Sequence, residues 1–245
     1  GEDGLYWTST LEKGHFSYLI VLHNDAPPTE ASTKGTRCFG FTIRPVYDDR
    51  PPKRIGVFSV AADKQVSFSQ GNLQYTRSTD TWSFAENQYN TIGAANMSAD
   101  DLADKIDLFG WSGSIGSAKF GVSTSDDNND YSGTFVDWGS NKIGNDATNN
   151  WRTLTYDEWD YLLESRTNAS SLRGIAQVNG ANGLILLPDN WTCPAGVTFK
   201  SGFSSESDVE AYGTHQTFTI DQWKKMETAG AVFVPTAVLI YSAVY

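Results

Sequence analysis

One stretch of this chain has a well-marked helix start, and the rest is organised around it. Residues 151–166 run Trp-Arg-Thr-Leu-Thr-Tyr-Asp-Glu-Trp-Asp-Tyr-Leu-Leu-Glu-Ser-Arg. Thr155 and Glu158 form a Thr-x-x-Glu capping box, in which hydroxyl and carboxylate each serve the other residue's amide. Trp159, Leu162 and Leu163 follow at i, i+3 and i+4, an apolar stripe that must be buried. Asp157, Glu158 and Asp160 sit where the helix dipole favours anions, with Arg166 near the other end. The spacing predicts a scaffold helix. A second capped helix is predicted from Thr219 to Gly230, with Trp223 and Met226 inward and Gly230 ending it. Ser98-x-x-Asp101 gives a weaker helix start leading to Leu102 and Ile106.

Elsewhere the chain reads as short strands and loop. Ser17–Leu22 is apolar on both faces, so all of it is assigned to the core. Phe58–Phe68 reads as strand, turn and strand, and Leu184–Leu187 as a buried strand stopped by Pro188. Ala231–Val234 is a further core strand. Residues 121–150 are mostly Gly, Ser, Asn and Asp, a long loop broken by Phe135–Trp138. Twenty-two Gly and 13% aromatics suit such a loop-rich chain. At 245 residues it can bury roughly 70% of its unfolded surface.

The motif Arg152-x-x-Thr155-x-x-Glu158-Trp159-x-Tyr161 resembles the Arg-Leu-Pro-Thr-Glu-x-Glu-Trp-Glu-Tyr signature of formylglycine-generating-enzyme (sulfatase-modifying-factor) folds. Gly71–Tyr75, Trp82–Tyr89, Asp107–Trp111 and Gly183–Trp191 resemble a narrower group of secreted or surface proteins of gut bacteria. Some of these are variable proteins of diversity-generating retroelements. The resemblance implies an α+β, C-type-lectin-like fold with small mixed or antiparallel sheets, two or three helices and much loop. It covers nearly the whole chain as one domain, residues 1–245, but in rotated order. Residues 1–47 resemble the family's C-terminal segment through Leu5–Thr10 and Gly40–Val46, the latter its closing strand. Residues 48–56 read as a linker, and 57–245 resemble the N-terminal and middle segments. A circular permutant or an array fragment cut out of phase would each give this order. The two pieces complement each other without overlap and no internal repeat is present, which favours permutation. Permutation requires the two chain ends to lie close in space.

The resemblance implies non-enzymatic recognition of a protein or carbohydrate ligand by a secreted or cell-surface bacterial protein. The alternative is a formylglycine-generating-type oxidase or another enzyme on the same fold. Such oxidases use two cysteines just before the closing strand, where this chain has only Cys38. Cys193 comes from another part of the chain, and a disulfide between them or two free thiols both remain open. The three histidines form no zinc motif, and no Gly-x-Ser-x-Gly elbow is present. No cofactor is expected, apart from the calcium option raised by the oxygen-rich loop Asp126–Gly133, whose spacing departs from an EF-hand. A net charge of −11 argues against a nucleic-acid partner. No apolar run is long enough to span a membrane, and Gly1–Gly4 has no signal-peptide character, so any signal peptide is expected to have been removed.

The eight tryptophans fall mostly in the matched phrases and are expected in the core. Under the rotation, the family's binding face maps to residues 238–245, 8–25 and 34–39. His15, His23, Phe39, Tyr241 and Tyr245 are the ligand-binding candidates there, since amphipathic rings give contact area at low entropic cost; packing of the last sheet is the alternative role. Arg37-Cys38-Phe39-Gly40-Phe41 replaces the family's Arg-Tyr-Tyr-Gly-Phe. Each tyrosine replacement is one adenine change in a codon, as adenine-directed mutagenesis makes, though ordinary drift gives the same outcome.

Overall fold

Leu19–Leu22 has no polar side, so it needs apolar partners on both faces, and the fold is arranged to supply them. The computed structural model describes residues 4–12, 16–22, 34–37, 39–48, 56–98, 101–112, 135–202 and 215–236. The chain is α+β, built from small, mostly antiparallel sheets and loop, with two α-helices among the described residues. In order the elements are β1 (Gly4–Leu11), β2 (Phe16–Leu22), β3 (Lys34–Thr36), β4 (Val46–Asp48), β5 (Phe58–Ala61), β6 (Lys64–Phe68), β7 (Leu73–Thr76) and β8 (Thr81–Phe84). There follow β9 (Met97–Ser98), β10 (Asp101–Leu102), β11 (Lys105–Ile106), α1 (Tyr156–Asp160), β12 (Arg173–Val178), β13 (Ala181–Leu186), β14 (Thr217–Phe218), α2 (Ile220–Thr228) and β15 (Val232–Pro235).

Two sheets act as walls between three cores. In the sheet β1-β2-β3, Tyr6, Ile20 and Leu22 face a first core, and Trp7, Leu19 and Val21 face a second. Successive strand residues point to opposite faces, so a strand buried on both sides needs this unbroken apolar run. The sheet β14-β12-β13-β15 does the same. Leu184, Leu186, Val232 and Val234 face the first core, while Ala176, Ile185 and Phe233 face a third, closed by Trp223 and Met226 of α2. Seven of the eight tryptophans are buried and Trp191 is half-buried, so the expectation of core tryptophans holds.

Both capping boxes form. Thr155 accepts from the Glu158 amide at 3.2 Å while Glu158 accepts from the Thr155 amide at 2.9 Å, and Thr219 and Gln222 do likewise. Trp159, Leu162 and Leu163 enter the first core. The helix widens to a π turn over Tyr161–Ser165, ended by the Arg166 amide bonding to the Tyr161 carbonyl. After α2, Gly230 takes φ +97° and lies so close to Gly56, itself at φ +82°, that a Cβ on Gly56 would stand 2.4 Å from the Gly230 carbonyl oxygen. Only glycine fits both the turn and the approach.

Two expectations need correction. The predicted helix from Ser98 does not form. Met97–Ser98 and Asp101–Leu102 pair as a short hairpin, and Lys105–Ile106 pairs with Tyr75–Thr76. The buried Asn96 side chain accepts from the amides of Asp107 and Leu108 and donates to the Asp107 carboxylate at 2.8 Å. That lock closes residues 96–107 into a loop, whereas a helix over 98–106 would separate its ends by about 12 Å. The closing strand over Gly40–Val46 is not continuous either. Gly40–Thr42 make isolated bridges and pairing resumes only at Val46, because Pro45 has no amide to donate and the Arg44 side chain turns into the interior. Asp48, where the linker is expected to begin, is the last residue of β4, which pairs with β6, and residues 49–55 lie outside the described residues.

The first and last described strands meet. A Cβ on Gly4 would stand 2.8 Å from the Thr236 Cα, and the Tyr6 hydroxyl donates to the Pro235 carbonyl at 2.6 Å. Gly1 and Tyr245 themselves lie outside the described residues.

Candidate functional site

The far end of the first wall leaves both cores, and local chemistry decides how. Thr8, Ser9 and Thr10 on β1 oppose the single residue Tyr18 on β2, a bulge. The Thr8 hydroxyl donates to the Tyr18 carbonyl at 2.9 Å and accepts from the Thr10 amide. The bulge turns β1 toward α1, where the Thr10 hydroxyl accepts from the Tyr156 amide at 2.9 Å and the Ser9 amide reaches the Leu154 carbonyl. Beyond it Leu11 is 48% exposed and Phe16 44% exposed. These are two of the four large hydrophobic residues that stand exposed among the described residues.

Between the exposed tip and the core lies an ordered aromatic pair. Tyr18 shares a face of β2 with Phe16, and its ring meets that of Tyr156 at 4.8 Å, tilted 38°. Lys34 is its cross-strand neighbour on β3, with Nζ 5.5 Å from the Tyr18 ring centroid. Glu12 accepts from Lys34 Nζ at 3.1 Å and from the Tyr18 hydroxyl. The hydrogen bond to Glu12, then partial burial, raises the Tyr18 phenol; the bond to Glu12 also raises the Lys34 ammonium. Among the described residues the face thus carries half-exposed rings and aliphatic side chains beside the Lys34–Glu12 ion pair.

Of the five sequence candidates, His15, His23, Tyr241 and Tyr245 lie outside the described residues. Phe39 is half-buried and packs on the second core, its ring 6.0 Å from Phe41 in an edge-on arrangement. It therefore belongs to the opposite side of the wall from Tyr18. Sequence reasoning assigned Tyr18 to the core with the rest of Ser17–Leu22 and did not consider Tyr156 or Phe16. The available signal was the alternation Phe16, Tyr18, Ile20, which puts one aromatic stripe on one face and lets it run out of the core.

Two charged networks hold the scaffold beneath this face. Arg152 donates to both Glu158 oxygens at 2.6 and 2.8 Å and to Asp48 at 2.7 Å, and Lys64 adds a contact to Glu158 at 2.8 Å. Asp189 gathers Ser59 at 2.7 Å, Gln65 at 3.1 Å and the buried Arg166 at 3.1 Å. A third network runs from the interior to the partly buried Glu227. Arg44 donates to Asn72 at 3.2 Å and to Gln88, which in turn donates to Glu227 at 2.8 Å. Burial pushes the Arg44 guanidinium down to about 10. Each network joins segments far apart in sequence and acts as a strut.

Among the described residues no group of three or more His, Cys, Asp or Glu side chains is placed to hold a metal ion. The loop Asp126–Gly133 and Cys38 lie outside them. Cys193 is a free, exposed thiol whose Sγ–H donates to the Val197 carbonyl at 3.3 Å. No described helix is long and apolar enough to cross a membrane. Comparison of the chain with protein-family models, with curated proteins and with solved structures gives no match.

Proposed function

We propose that this chain is a non-enzymatic recognition protein of lectin-like fold, secreted or held at a bacterial surface, that binds a protein or carbohydrate ligand through the outer end of the β1–β2–β3 sheet. The observation that carries the reading is the Tyr18–Tyr156 pair with Phe16 and Leu11 beside it. These side chains sit at the end of a wall whose other residues are committed to two cores. Tyrosines fixed by a bulge and a carboxylate present area without losing much rotamer freedom on binding. The contact between Gly4 and Thr236 supports the rotated, lectin-like order that the motifs imply.

The test is a screen of glycan and secreted-protein arrays with the parent chain and with the Phe16→Ala/Tyr156→Ala variant. The expected result is at least one ligand retained by the parent and lost by the folded variant. Ligands bound equally by both would remove this face from the function.

A further inference from the structure

A second concave surface lies on the far side of the third core, and its chemistry differs from that of the tyrosine face. Thr219 caps α2, and Trp223 and Met226 turn one side of it inward. Lys224, Lys225 and Thr228 are thereby left on its outer side. Across from them the segment after β13 makes two successive turns, with the Trp191 amide bonding to the Pro188 carbonyl and the Val197 amide to the Pro194 carbonyl. Gly196, at φ +77°, supplies the positive-φ position of the second turn, and a Cβ there would stand 3.6 Å from Lys225 Nζ. The turns present Cys193, Pro194 and Ala195 toward the helix. The groove between has a volume of about 580 Å³ and is mostly apolar.

Its charge is opposite to that of the molecule. The chain carries 29 acidic and 18 basic residues, yet neither Lys224 nor Lys225 forms an ion pair among the described residues. Lys224 and Lys225, which form no ion pair among the described residues, stand beside an apolar trough, a surface that complements an anion on an apolar body. The volume lies within the range of small-ligand sites, roughly 300–1,000 Å³. The eight lining residues fall well short of the roughly 20–30 per side of a stable protein interface. We infer that this groove binds a small organic carboxylate with an apolar or aromatic body, its carboxylate between Lys224 and Lys225 and its body against Pro194, Ala195 and the Cys193 side chain. This site is independent of the recognition face.

Cys193 supplies the readout. Its thiolate sulfur attacks 2,2′-dithiodipyridine, an uncharged disulfide, forming a mixed disulfide and releasing pyridine-2-thione. Peptide-resolved mass spectrometry follows this at Cys193 alone in the native chain. The probe is 4-phenylbutyrate, with 4-phenylbutyramide as its uncharged match. The expected result is that about 20 mM acid slows modification about fivefold, as a site with a Kd of about 5 mM would, while the amide does not. The Lys224→Gln/Lys225→Gln variant should lose that protection with its melting temperature little changed. Equal protection by acid and amide, no protection, or protection that survives the lysine substitutions would overturn the assignment. Stronger protection by a peptide ending in a C-terminal phenylalanine than by the free acid would overturn it in favour of a polypeptide terminus.

Discussion

Replacing Arg152 with methionine removes three charge-assisted hydrogen bonds at once: two to Glu158 and one to Asp48. The Glu158 side chain is only 10% exposed, against 22% for Arg152 and 37% for Asp48. Breaking a fully buried pair from one side costs about 3–5 kcal/mol, and an exposed pair is worth less than about 1 kcal/mol. Glu158 keeps Lys64 at 2.8 Å and the Thr155 amide at 2.9 Å, so the expected loss is intermediate, about 2 kcal/mol. The pH dependence gives a second, independent reading. Burial alone would raise the Glu158 carboxyl, but hydrogen bonds from Arg152, Lys64 and the Thr155 amide outweigh it and hold the group below its ordinary range. A carboxyl depressed in the folded state contributes stability above its unfolded pKa of about 4.3, and that contribution is lost as pH falls through the folded value. Without Arg152 the burial is less opposed, so the variant has less of this contribution to lose. Urea unfolding of parent and variant at about pH 6 and pH 3.5 should therefore show a difference that narrows on acidification. A difference below about 0.5 kcal/mol at pH 6, or one that widens toward acid, would refute the account of this strut.

The remaining predictions follow from single contacts. Gly139→Ala should destabilise by about 3 kcal/mol or more by urea unfolding, because its Cβ would stand 1.6 Å from the Trp151 carbonyl oxygen, and neither backbone can move without opening the second core; a neutral substitution would show that this turn can yield. Thr219→Ala should lower stability by about 1 kcal/mol through loss of the α2 cap, measured as a fall in melting temperature, and an unchanged value would mean the cap is redundant. Incubation with copper and a cysteine-containing sulfatase peptide should convert no cysteine to formylglycine above a protein-free copper control, read by mass spectrometry; formylglycine formation that depends on the protein would establish the oxidase reading instead of recognition.

What was legible in the sequence was what local chemistry decides. Thr155–Glu158 and Thr219–Gln222 announce both helices because a capping box is satisfied within four residues. Leu19–Leu22 announces a strand buried on both sides, and Phe58–Phe68 forms the expected pair β5 and β6 around Ala62-Asp63. The failures come from distant partners. Ser98-x-x-Asp101 has the form of a helix start, but Asn96 and Asp107 close the segment from outside it. Tyr18 lies within an apolar run, and only the bulge at Thr8–Thr10 and the arrival of Tyr156 from 138 positions along the chain turn its ring into a surface feature. Phe39, the one described candidate, is half-buried against the second core, with its ring 6.0 Å from that of Phe41. Periodicity tells which residues share a face, but the partners of that face are set by the rest of the chain.

The most direct measurement sets ligand affinity against melting temperature for three single substitutions, Phe16→Ala and Ile20→Ala on the β2 stripe and Tyr156→Ala on the helix that meets it, using a ligand from the array screen. Phe16 is exposed at the outer end of β2, Tyr156 is half-buried at the start of α1 against the rim of the first core, and Ile20 lies inside that core. Truncation of Phe16 or Tyr156 should weaken binding about tenfold or more while moving the melting temperature by only a few degrees. Ile20→Ala should destabilise by about 2–5 kcal/mol and leave the affinity of the folded protein unchanged. Intact binding in the Phe16 and Tyr156 variants, with melting temperatures that fall as far as that of Ile20→Ala, would contradict the claim that this stripe ends in a recognition surface.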